Sequence, residues 1–328
     1  MSEFIGRQVE VGVAVEGVRN TAESTPAKWI KNVVANIIPN VEKVRDDGKR
    51  GRLEMNDGTR IVQKWFQGPL EGVLHADGIG YLLANLYGEE DVTALGDSVY
   101  SHEFTLDQSI IHPTLTFFVK DGAVYQKKLN GGVINTLTIS AAVDNLVRFT
   151  SEAICLEAAA DASVPSYDTE YDFITKDITV KVADTEEGLA TAEEIKAKNL
   201  EVSINANVIR NHTFGQYAPD SNYNAGFGIE VKLTRDYVDD TFESLWGSDD
   251  SKYMQIAITG SQDIGGANNP SLTITLNKGQ VTAWSRSGGA DELVTEDVTI
   301  EAFLNEDDLE QSSMTLVNNT AVYIVSES

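Results

Sequence analysis

At 328 residues the chain is too long for one ordinary domain and comfortable for two of about 150 each. Its 25 lysines and arginines face 51 aspartates and glutamates, a formal charge of −26. That excludes a protein that coats DNA, because neutralising phosphate needs a basic face. No apolar stretch approaches the ~20 residues that cross a bilayer, so no membrane insertion is expected. The opening MSEFIGRQVEVGV has no apolar block with a cleavage site and does not read as a signal peptide. The single Cys155 excludes an internal disulfide. The expectation is a soluble, acidic protein made in a reducing compartment. Residues 1–70 sum to +2 and residues 71–328 to −28, an imbalance that costs most where many copies stand side by side.

In chain order, period-two alternation predicts strands over 8–16, 29–44 and 60–73. A helix is expected within 74–87, with Leu82, Leu83 and Leu86 on one face and Gly88 as its stop. Strands follow over 114–119, 132–141 and 146–157. The second half repeats the order with strands over 177–182, 200–214 and 226–237. A helix over 239–246 then opens on acids and is followed by Gly247. Strands over 254–259, 271–284 and 296–304 complete the repeat, with an extra one over 321–325. An exposed third helix is expected over 186–198. The fold class is therefore mostly β, with one short helix in each half. Six strands surround each helix position, which divides the chain into domains 1–160 and 161–328. Each alternating strand has one apolar and one polar face, as in sheets buried on one side only.

Catalytic and metal motifs are missing. His75, His102, His112 and His212 show no i, i+4 pairing. Gly78-Ile79-Gly80 starts like a dinucleotide turn, but position six is Leu83 and no βαβ unit surrounds it. There is no phosphate-cradling G-x-x-x-x-G-K-[ST] and no G-x-S-x-G elbow. The acidic runs at 46–47, 249–250 and 306–308 lack the alternating ligand order of a calcium loop. No enzyme and no cofactor are expected. Two long polar loops, 17–28 and 214–226, stand between convincing strands, where loops of that length usually make contacts.

An ordered set of short patterns resembles the tail tube proteins of long-tailed bacteriophages. QVEVGVAVEG at 8–17 is similar to that family's opening strand, and the polar loop after it stands where the family places an assembly loop. QGPL at 67–70 leads into the small helix; HEF at 102–104, PTLTFF at 113–118 and the hairpin 133–155 follow. NLEVSINAN at 199–207 and PSLTITL at 270–276 continue the order. The resemblance implies tandem tail-tube β-sandwich domains, each with one flanking helix, whose inner sheets join into a barrel spanning a ring. Rings of three two-domain copies, or of six if the domain is single, stack into a conduit. The implied setting is the virion tail, assembled in the host cytoplasm. The implied partners are a tail terminator, distal tail and tape-measure proteins, and double-stranded DNA that passes without specific binding. A surface adhesin or fibre subunit, a tail terminator and a head decoration are the alternatives.

Alternation combined with the resemblance selects candidate lumen residues. In the second half they are Glu201, Ser203, Asn205, Asn207, Glu230, Lys232, Thr234, Thr273, Thr275, Asp297, Thr299 and Glu301. In the first half they are Thr136, Thr138, Ser140, Thr150 and Glu152. A negative wall repels phosphate and gives it no resting site. The loop Val18, Arg19, Asn20, Thr21, Ala22, Glu23, Ser24, Thr25 and Pro26 is the candidate contact to the next ring or subunit.

Overall fold

A computed structural model describes residues 6–46, 53, 58–122 and 124–324. The strands of the first half are β1 (Val9–Val15), β2 (Lys28–Ile30), β3 (Val33–Ala35), β4 (Ile38–Asp46) and β5 (Gly58–Val73). After helix α1 (Ile79–Tyr87) come β6 (Gly88–Gly96), β7 (Val99–Leu106), β8 (Leu115–Asp121), β9 (Tyr125–Ala142), β10 (Arg148–Cys155) and β11 (Ala158–Ala160). The second half has β12 (Ile178–Ala183), β13 (Ala197–Asn205), β14 (Val208–Asn211), β15 (Ser221–Asn224) and β16 (Gly228–Asp236). Helix α2 (Thr241–Trp246) is followed by β17 (Lys252–Thr259), β18 (Ser271–Ser287), β19 (Thr295–Ala302) and β20 (Ser312–Asn318).

Two long strands organise the molecule by changing partners along their length. The N-terminal part of β9 lies between β8 and β11, and β8 also pairs with β1. Its C-terminal part lies between β10 and β13. The change falls at Gly131, whose φ of 58° is in the left-handed region and whose Cα approaches the Leu156 side chain too closely for a Cβ. Strand β18 behaves alike: residues 271–276 lie between β17 and β20, and residues 279–287 pair with β19.

One face of the sandwich is thus the sheet β3/β4–β5–β10–β9–β13–β16–β19–β18, eight strands wide and antiparallel throughout. Its outer strands, β3/β4 and the C-terminal part of β18, do not meet, so the sheet does not close within one chain. The opposing layers run β2–β1–β8–β9–β11 and β12–β17–β18–β20–β7–β6. Apolar residues of both layers form one core, with Leu70, Leu137, Phe149, Phe117 and Val11 in the first half. Leu200, Val202, Ile204, Ile229, Val231, Leu272, Ile274, Val298 and Ile300, the apolar partners of the polar rows, are all buried.

Each helix plugs the layer interior after the second strand of the wide sheet. Every residue of α1 is buried, and Gly88 ends it with a φ of 87°, its N–H donating to the Ala84 carbonyl. Phe242 and Leu245 anchor α2.

Several expectations are corrected. The strand over 29–44 is three pieces, β2, β3 and β4. The helix over 186–198 is a single 3-10 turn, Glu187–Ala190. Its two large apolar residues, Leu189 and Ile195, are six apart and cannot form a stripe. The edge of β12 captures the segment instead, through Ile195 N–H to the Val180 carbonyl. No strand forms over 321–324; the Tyr323 and Ile324 N–H groups donate to the Glu90 carboxylate, and Val325 lies outside the described residues. The hairpin β6–β7 and strand β20 were not anticipated.

Candidate lumen face and assembly edges

The wide sheet gathers most of the candidate polar residues on one face. Thr150, Thr138, Ser203, Glu230 and Glu301 form a row straight across five strands. A parallel row runs through Ser140, Glu201, Lys232 and Thr299, and a third joins Glu152, Thr136 and Asn205. Thr234 faces Asp297, and its hydroxyl donates to that carboxylate at 2.7 Å. Facing hydroxyls of Thr138 and Ser203 are 3.1 Å apart. A depression of about 500 Å³ runs over this face, lined by Ser140, Glu201, Lys232 and Thr299 among others.

Thr273 and Thr275 are set apart from this face. They belong to the part of β18 that pairs with β17 and β20, so they lie in the opposing layer. The alternation was correct, but β18 changes partners four residues later. Asn207 stands just beyond β13, with φ at 46°.

Charge on the face is unbalanced. Glu71, Glu152, Glu201, Glu230, Asp297 and Glu301 stand against Arg148 and Lys232, a net of −4, while Lys198 and Asp236 pair at the rim. Lys232 is ion-paired to Glu230 at 2.8 Å and Glu201 at 3.4 Å. The Glu230 hydrogen bond and charge hold its ammonium above the usual lysine pKa. Glu230 and Glu301 are direct cross-strand neighbours of like charge, an arrangement that weakens a sheet. Glu71 and Arg148 also belong to the face. Their place in the alternation of β5 and β10 identifies both, and the sequence reading passed over them.

The loop from Val18 to Pro26 folds back on its own chain. The Arg19 guanidinium donates to the His112 and Asn222 carbonyls, and the Asn20 amide to the Asp220 carbonyl at 3.2 Å. The Glu23 N–H reaches the Thr116 hydroxyl at 3.0 Å. The loop thereby fastens the β14–β15 hairpin to the first half. Val18, Thr21, Ser24 and Thr25 remain exposed, and Ala22 and Pro26 are half-buried.

Among the described residues no group of three or more His, Cys, Asp or Glu side chains is arranged to hold a metal. Nor, among those residues, is any helix long and apolar enough to cross a membrane.

The wide sheet thus has one polar face, one apolar face and, among the described residues, two edges that pair with no strand. The family model described as phage tail tube protein matches residues 6–304, and the chain belongs to that family. Among curated proteins, none matches it. The tail tube family is a structural one, and membership makes this chain a component of a phage virion tail.

Proposed function

We propose that the chain forms rings of three copies, each contributing two tandem tube domains, about 1–160 and 161–328, and that the rings stack into a conduit for double-stranded DNA. The polar face of the wide sheet lines the channel. The observation that carries this reading is the coincidence on one face of hydroxyl, amide and carboxylate rows with a net of −4. The tandem arrangement is supported by pairing order: β4–β5–β10–β9 is followed by β13–β16–β19–β18, with a helix after the second strand each time. Eight strands from each of three copies make 24; at ~4.8 Å spacing and ~40° tilt the barrel is roughly 45–50 Å across, which clears duplex DNA after inward side chains are subtracted. Thr273 and Thr275 have no part in the wall. The exposed rim of the 18–26 loop, at Val18, Thr21, Ser24 and Thr25, contacts the adjacent ring, while Arg19 and Asn20 anchor it. A terminator, distal tail and tape-measure proteins cap and fill the tube, which is assembled in the host cytoplasm. Negative-stain microscopy of the purified protein tests the reading: tubes or stacked rings with three-fold end views support it, and dispersed monomers at high concentration oppose it.

A further inference from the structure

The two halves of the chain match residue for residue in their ladders. In the β9–β10 hairpin Thr136 faces Glu152 and Ile134 faces Ala153, leaving Asn135 as a bulge. In β18–β19, Ala283 faces Thr299 and Val281 faces Ile300, leaving Thr282 as the bulge. Every number is 147 higher. Leu129, Asn130, Gly132, Asp144, Leu146 and Val147 recur as the same residue types at 276, 277, 279, 291, 293 and 294. By the same matching β5 is equivalent to β16 with a shift of 163, since Gln67 faces Ile154 and Glu230 faces Glu301. The β3/β4 strand is equivalent to β13 with a shift of 165, since Ile38 faces Gln67 and Ser203 faces Glu230. The match continues past the sheet: Lys43 faces Ile61 in the outer β4–β5 hairpin, and Val208 faces Asn224 in β14–β15.

One half is covered where the other is bare. The edge of β9 is paired with β13, and Leu137 and Ile139 are buried beneath that junction. Their equivalents on β18 are Trp284, half-buried and stacked on Trp246, and Arg286, exposed and lying over the Tyr237 ring, and among the described residues no strand lies beyond them. Hairpin β14–β15 is settled on the first half, its Asn222 fully buried and donating to the Gly131 carbonyl at 3.0 Å. The equivalent β4–β5 arm touches its own chain at its base, through the Lys64 N–H to the Tyr217 carbonyl and Arg210 over the Trp65 ring, but leaves Val41, Val44, Ile61 and Val62 exposed. Each bare surface is the counterpart of what the other lacks.

We propose that the junction inside the chain is repeated between chains: the β18 edge of one copy pairs antiparallel with β3/β4 of the next, and the β4–β5 arm lies on that neighbour's second half. This rests on the ring reading above and fixes its register. Thr138 faces Ser203 within the chain, so Ser285 faces Ile38 between chains, with Ala283 opposite Asn40 and Ser287 opposite Asn36. Trp284 is then covered by the neighbour's Pro39. Charge favours the same partner. The arm carries Lys43, Arg45, Arg60 and Lys64 against Glu42 and Asp46, whereas beyond Asp236 only Lys252, Lys278 and Arg286 oppose sixteen acids. The contact is head-to-tail, so it propagates around a ring until curvature closes it.

Paired cysteines test the register. The touching hydroxyls of Thr138 and Ser203 mark a position where sulfur atoms at the equivalent sites come within bonding reach. Native Cys155 is fully buried with its thiol pKa pushed up by desolvation, so it leaves a silent background. Mild oxidation of assembled S285C/I38C, A283C/N40C and S287C/N36C protein gives covalent dimers and trimers and nothing larger. The two-residue mismatches S285C/N36C and S285C/N40C give several-fold less. Strongest linkage in a mismatched pair overturns the register and leaves the tube reading standing. Tubes in which none of the five pairs links overturn the edge pairing. Wild-type protein that never assembles overturns both. Because all these side chains lie at an exposed edge, folding is monitored independently by the thermal transition of the unassembled subunit.

Discussion

Reversing the wall charge is the perturbation that separates a lumen face from a merely solvated one. Replacing Glu201, Glu230 and Glu301 by lysine changes the face from −4 to +2 per chain, and a three-copy ring from −12 to +6. The cost to the fold is small. The pairs of Lys232 to Glu201 and Glu230 join side chains 36–54% exposed, and exposed pairs contribute about 0–1 kcal/mol each. The Glu230–Glu301 repulsion is exchanged for a repulsive lysine pair, and a lysine at 201 opposite Lys232 adds one more like-charge pair that costs about 0.2–1 kcal/mol. Tails of normal length by negative stain are therefore expected from particles carrying the triple variant. Genome release, triggered in vitro and followed with a DNA-binding dye, should be slowed at low ionic strength, because each lysine offers phosphate a resting site. Added salt should restore it, since such contacts weaken steeply with salt. Release at the wild-type rate in low salt from normal tails would refute the assignment of this face to the channel.

Three further outcomes follow from named contacts. Glu301→Gln removes the like-charge neighbour of Glu230 and should raise the urea midpoint of the unassembled subunit by the equivalent of about 0.2–1 kcal/mol; a fall would show that the carboxylates do not repel. Glu296 is fully buried, bonded to the Arg235 guanidinium at 2.5 Å and to the Trp284 indole N–H at 2.7 Å. Glu296→Ala leaves a buried cation with Asp239 and the face of the Phe242 ring and should cost about 3 kcal/mol in equilibrium unfolding, with a loss under 1 kcal/mol counting against the network. Hydrogen bonds from Arg235, then from Thr241, pull the Asp239 pKa down to about 2. Because the folded value is depressed below the ordinary 3.8, its stabilisation is complete above that value and is lost as pH falls toward 2. The stability gap between wild type and Asp239→Asn should therefore narrow between about pH 4 and about pH 2, and a gap that widens on acidification would contradict the assignment.

The parts of the fold that show in the sequence are those where one physical constraint acts alone. Strand β13 is buried on one face and wet on the other, so Leu200, Val202 and Ile204 alternate with Glu201 and Ser203, and the polar face follows directly. The β6–β7 hairpin carries no such signal: Glu90 and His102 turn inward as a buried pair at 2.7 Å, while Val92 and Leu95 are exposed. Its turn, at Asp97 and Ser98 with φ of 49° and 60°, uses neither asparagine nor glycine. Thr273 and Thr275 show a different limit. Period two reports which side of a strand is polar, but a strand that changes partners, as β18 does, presents that side to different surroundings along its length. The internal repeat was read from the order of elements, whereas its residue-level trace, Leu129-Asn130-x-Gly132 against Leu276-Asn277-x-Gly279, is short because only the turn into the bulge constrains residue type. The β4–β5 arm and the β18 edge, the interfaces proposed above, leave no mark in the sequence, since a strand edge is defined by the absence of a neighbour.

Cryo-electron microscopy of the assembled tube at side-chain resolution tests the central claim most directly. The account predicts three chains per ring, a continuous 24-stranded wall with Ser285 beside the neighbouring Ile38, and Glu201, Glu230 and Glu301 projecting into the channel. A tube in which those carboxylates face outward, or in which β18 and β3/β4 lie on opposite sides of the ring without touching, would contradict it.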